Sequence, residues 1–149
     1  MKKFKFPLAK LLEVRKEKEK EAQKHLHEAH LFWLDQLKDL EVLEQRCTHE
    51  QQLIVHQQKE SMEAEKLSSH YAYLNLIHEK LVLQKEQVQR ALTHVDEQRQ
   101  KVVVAMQQRK IIENLFEKKL REWDLSYNEG ERAFFDELAM LRYNFEKRK

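Results

Sequence analysis

From Leu67 to Trp123 every seventh residue but one is apolar. The series is Leu67, Leu74, Leu81, Val88, Val95, Val102, Arg109, Phe116 and Trp123, and no Pro or Gly interrupts it. A repeat of 3.5 residues held over this length keeps one stripe of a helix against a partner helix; a strand, with its period of two, cannot use it. The flanking positions are mixed. Ile77, Ala91, Ala105 and Ile112 lie on one side, Tyr71, Leu92, Met106, Leu120 and Tyr127 on the other, and charges fill the remaining faces. The stripe is therefore narrow, and one partner helix covers most of it.

The partner is found earlier in the same chain. Leu12, Glu19, Leu26, Trp33, Leu40, Cys47 and Ile54 form a second series of sevens, with Leu8, Ala22, Ala29 and Leu43 on the companion position. Between the two series VHQQKESMEAEK is polar enough to turn, and Ser61 before Met62, Glu63, Ala64 and Glu65 reads as an N-cap with acid in the first turn. A fold-back at about Gln58 to Ser61 brings Ile54 level with Leu67, Leu40 with Leu81 and Leu26 with Val95. The expectation is an all-α, antiparallel two-helix coiled-coil hairpin with a long C-terminal helix overhang. It forms a single domain over residues 1–149, with helix 1 at about 7–57, the turn at about 58–61 and helix 2 at about 62–146. Pro7 suits the first turn of helix 1.

Composition agrees with long helix. One Gly (Gly130) and one Pro (Pro7) leave little turn chemistry, and 36% of residues are charged, so the core is a seam and the molecule a rod. The same alignment sets Glu19 level with Val102 and Leu12 level with Arg109, where charge meets the stripe and the pair is expected to loosen. Beyond about Ile112 the second helix has no first-helix partner, yet it continues with Phe116, Leu120, Trp123, Tyr127, Phe134 and Phe135. Aromatics on an unpaired helix call for a partner protein or self-association.

Several chemistries are not expected. His25, His27 and His30 lie two, three and five apart, and His49 and His56 two turns apart, without the matching acids on one face that a helical metal site requires; all eight histidines read as polar helix surface. A single Gly cannot build a phosphate-binding loop. Cys47, the only cysteine, sits on the seam, where a buried thiol is inert. The sequence thus reads as a non-enzyme without cofactor or metal. The formal charge is +2 with both signs interleaved, which argues against nucleic acid, although the first twenty residues are locally basic. No apolar run reaches about 18 residues, so no membrane insertion is expected and the protein reads as cytoplasmic.

Three stretches resemble a known family. FKFPLAKLLEVRKEKEKEA (Phe4 to Ala22), HYAYLNLIHEKLVLQ (His70 to Gln84) and RKIIENLFEKKLREW followed by DELAMLRY (within Arg109 to Tyr143) are similar to the amino-terminal, post-turn and carboxy-terminal patterns of the FliJ family. That family is the stalk component of the bacterial flagellar type III export apparatus. The resemblance implies a non-catalytic antiparallel coiled coil, peripheral to the inner membrane, whose partners are the hexameric export ATPase, the export gate membrane protein and export chaperones. It implies gate contact at Tyr73, Ile77, Lys80 and Gln84, read as one outward face, and ATPase contact at Phe116, Leu120, Trp123, Tyr127, Phe134, Phe135 and Arg142. Relatives carry a small residue and a His where this chain has Lys80 and Gln84, and often a Gly or Pro near the turn. The injectisome counterpart of the stalk and a generic dimerising scaffold are the alternative readings, and a monomer in isolation is preferred to a homodimer.

Overall fold

The computed structural model describes residues 3–60 and 63–148. It contains two helices, α1 (Ala9–Lys59) and α2 (Ala64–Glu146), with no strand among the described residues. Glu50 meets His70 and Gln36 meets Gln84, so the helices run antiparallel and the fold is an all-α hairpin.

Local chemistry sets the helix ends. Pro7 and Leu8 turn the chain into α1, with the Ala9 amide donating to Phe6 O (3.2 Å) and the Leu12 amide to Leu8 O (2.9 Å). Lys59 occupies the last turn of α1 and Glu65 the first turn of α2, each charge favourable for the helix dipole. Gln58 and Lys59, read from sequence as turn, are helical. No Gly or Pro stops the helix there, and the chain leaves it at Glu60, whose amide donates to Gln57 O. The N-cap expected at Ser61, and Met62 after it, lie outside the described residues.

The chain divides into two compact units, Lys20–Val104 and the paired segments Met1–Glu19 and Ala105–Lys149. In the first unit, Ala29, Cys47 and Ile54 of α1 and Ile77, Ala91, Val95 and Val102 of α2 are buried. Leu26, Trp33, Leu40, Leu67, Leu74, Leu81 and Val88 are half-buried between them. Residues 67, 70, 74, 77, 81, 84, 88, 91, 95, 98 and 102 of α2 all lie in the seam, in alternating steps of three and four. This register includes polar members that counting apolar sevens passes over. Glu50 is buried and takes a hydrogen bond from His70 Nδ1. Gln84 Nε2 donates to the Gln36 carbonyl (2.9 Å) and side-chain oxygen (3.1 Å). His70 is therefore part of the seam and not helix surface, a correction that follows from its position three residues after Leu67.

In the second unit, Leu8, Leu11, Leu12 and Arg15 of the first segment and Ala105, Met106, Ile112 and Phe116 of α2 are half-buried. Beyond about Ile112 no first-helix partner is expected, but the segment that precedes α1 meets α2 there. Phe4 and Phe6, in the extended lead-in to α1, reach Phe116 and Trp123.

Because the seam is a single layer, its buried members carry the stability. Ile77→Ala is expected to lower the unfolding free energy by about 2 to 4 kcal/mol, while Val82→Ala, on the outer face of the same helix, changes it by less than about 0.5 kcal/mol. Urea titration of the two variants reads the difference, and equal effects would show that the register is wrong.

Candidate functional site

Within the unit formed by residues 1–19 and 105–149, charge enters the seam at Arg109. Its Nε donates to Glu19 and its Nη1 to Glu113 at 2.5 Å. Glu19 and Arg109 are not level. Side chains lean toward the N-terminus of their own helix, and in an antiparallel pair this leans Glu19 and Arg109 toward each other across about one heptad. The hydrogen bond to Glu113, followed by that to Glu19, raises the pKa of the guanidinium above its ordinary value. The seam expected to loosen here is closed by an ion pair instead: the Arg109 and Glu19 side chains keep 19% and 11% of their exposure. Beside it Arg15 Nη1 donates to Gln108 Oε1.

Beyond this cluster the apolar stripe becomes aromatic. Phe116 is held edge-on by Phe4 (centroids 5.7 Å apart) and Phe6 (5.2 Å), Phe4 also lies 6.0 Å from Trp123, and Trp123 stacks on Tyr127 at 5.3 Å. Phe116, Leu120, Trp123 and Tyr127 are half-buried; from Asn128 to Arg148 every residue is exposed. The stripe itself does not stop. Phe134, Leu138, Leu141 and Phe145 continue the same face in steps of three and four, 43% to 73% exposed. Trp123, Tyr127, Gly130, Phe134 and Phe135 line an open groove, and a Cβ added at Gly130 would meet nothing within 4 Å. A hydrogen bond to Glu131 raises the pKa of the Tyr127 phenol, because ionising it would set two negative charges side by side. The residues expected to meet an ATPase are thus of two kinds. Phe116, Leu120, Trp123 and Tyr127 are partly covered, the first and third by Phe4 or Phe6, and Phe134, Phe135 and Arg142 are exposed.

The face expected for the gate divides. Tyr73 and Lys80 are exposed, but Ile77 is 2% exposed in the seam and Gln84 is half-buried and bonded to Gln36. A spacing of four and seven does share one face, but here Ile77 and Gln84 belong to the face turned to α1. The residues that stand outward with Tyr73 and Lys80 are Leu76 and Leu83, at 45% and 62% exposure, spaced three, four and three along the helix. Sequence reasoning passed over them because their positions fall outside both apolar series.

Among the described residues no group of three or more His, Cys, Asp or Glu could hold a metal ion, and no helix is long and apolar enough to cross a membrane. The exposed stripe of α2 after Tyr127 and the outward set of Tyr73, Leu76, Lys80 and Leu83 are long faces that carry large apolar side chains. In the comparison with known proteins, the family model described as "Flagellar FliJ protein" matches residues 4–148. No curated protein and no solved structure matches.

The Arg109 cluster can be tested for what it contributes. Arg109→Leu strands Glu19 in the seam and is expected to lower the thermal unfolding midpoint, whereas Glu19→Leu with Arg109→Leu recovers most of the loss by replacing the ion pair with apolar packing. Circular dichroism melts of the single and double variants make the comparison; a double variant no better than the single would mean that Glu19 does not depend on Arg109.

Proposed function

The chain belongs to the FliJ family, and from that membership we propose that it is a non-catalytic stalk component of the flagellar type III export apparatus. In this reading it binds the hexameric export ATPase at the ring and links it to the export gate, peripheral to the inner membrane. The observation that carries the reading is the exposed aromatic face of α2 after Tyr127, on a chain whose match to the family extends through that segment to residue 148. Large apolar side chains left in water on one helical face favour a covering protein surface, since aromatics and Arg contribute most of the energy of protein interfaces. Phe134 and Phe135, with Arg142 beside the stripe, are the residues assigned to the ATPase; Phe116 and Trp123 contribute from beneath Phe4 and Phe6. The gate contact falls to Tyr73 and Lys80 with Leu76 and Leu83, because Ile77 and Gln84 are engaged with α1. Export chaperones are further partners in this reading.

The experiment is stimulation of the partner ATPase. Removing everything after Leu115 would uncover Phe4 and Phe6 as well, so the informative variant ends at Glu129, keeping Phe116, Trp123 and Tyr127. It is expected to retain the helicity and melting behaviour of the hairpin and to lose ATPase binding and stimulation. Equal stimulation by the full chain and the shortened one would remove the aromatic face from the mechanism.

A further inference from the structure

The exposed segment of α2 differs from the rest of the chain in its charge pattern. The charge along it is segregated: residues 124–137 hold five acidic side chains against one basic, and residues 138–149 four basic against one acidic. Interleaved charge, as on most of this chain, gives no preferred direction. Segregated charge favours an antiparallel neighbour of the same sequence, which lays each acidic half on a basic half.

The side chains agree on where such a pair aligns. Two-fold symmetry centred near Asp136 sets Phe134 against the other copy's Leu138 and Tyr127 against the other copy's Phe145, and each contact occurs twice because the interface is isologous. The same alignment brings Leu141 of one copy over Gly130 of the other. Gly130 interrupts an otherwise large-residue stripe, and the space above it is open, so it is the hole that this knob requires. Glu131 then stands beside Arg142 of the other copy, an opposite-charge pair on the edge of the apolar face. Apolar layers, a hole and flanking charges thus agree on one register.

We propose that two copies of the free protein associate through residues 127–145 of α2, antiparallel, with Gly130 receiving Leu141 and Glu131 facing Arg142. The pairing uses the face assigned above to the ATPase, so the ring-bound and self-paired forms exclude each other. It stands on its own observations and does not require the ATPase reading.

The test is the mass of the full chain by sedimentation equilibrium over a concentration series. The wild-type chain is expected to shift from monomer to dimer. Glu131→Arg and Arg142→Glu each place like charges together and are expected to weaken the dimer by about tenfold or more, while the double variant, which only exchanges the two signs, restores it. Gly130→Leu fills the hole at a position where an added Cβ meets nothing within 4 Å; it is expected to preserve or raise helicity by circular dichroism and to abolish the dimer. A chain monomeric at every concentration, or a double variant as weak as the singles, overturns the pairing. ATPase stimulation measured beside it keeps the two readings separate: a monomer that still stimulates overturns the pairing alone.

Discussion

Among the described residues two helices do most of the shielding of each other from water, and each can offer only the strip that faces its neighbour. That restriction accounts for the distribution of residues along the whole chain. A seam one layer thick has few buried side chains, Ala29, Cys47, Ile54, Ile77, Ala91, Val95 and Val102 among them, so each position counts for more than in a thick core. It also leaves every long side chain at the edge within reach of solvent, which is why Glu19, Arg109, Glu50 and His70 can occupy the strip at all. Each finds a partner across it.

Those polar contacts have a role that apolar packing cannot fill. A regular 3.5-residue repeat permits two helices to slip by seven residues with each apolar layer meeting another apolar layer. Slippage of that kind would separate Gln36 from Gln84 and Glu50 from His70, leaving polar groups facing aliphatic ones. Polar residues on a coiled-coil strip commonly specify alignment at some cost in stability, and these are placed to do so.

Much of this was legible in the sequence because helical period, the absence of Pro and Gly, and matching apolar series each depend on local chemistry. The antiparallel hairpin, the approximate level of the two series, the seam position of Cys47 and the exposed face of Phe134 and Phe135 follow from those signals. The remainder depends on the third dimension. His70, Gln84 and Gln98 sit in the strip without looking apolar, and Ile77 looks like one of a surface set until the helix phase is known to one residue. Phe4 and Phe6 lie outside any periodic segment, so no repeat could assign them a partner more than a hundred residues away. The outward set beside Tyr73 and Lys80 shifts for the same reason, since a single-residue change of phase exchanges Ile77 and Gln84 for Leu76 and Leu83.

The cross-helix contacts also define an order of closure. Gln58 and Tyr71 are 13 residues apart in sequence, Glu50 and His70 are 20, Gln36 and Gln84 are 48, and Glu19 and Arg109 are 90. Loops lengthen steadily away from the turn, and the entropy of closing each new contact is small once the one before it has formed. Such a chain zips from its bend toward its termini, and fraying runs the other way. Phe4 and Phe6, at the far end of that sequence, are then the first contacts to open, and Phe116 and Trp123 can be uncovered for a fraction of the free energy that separates the helices.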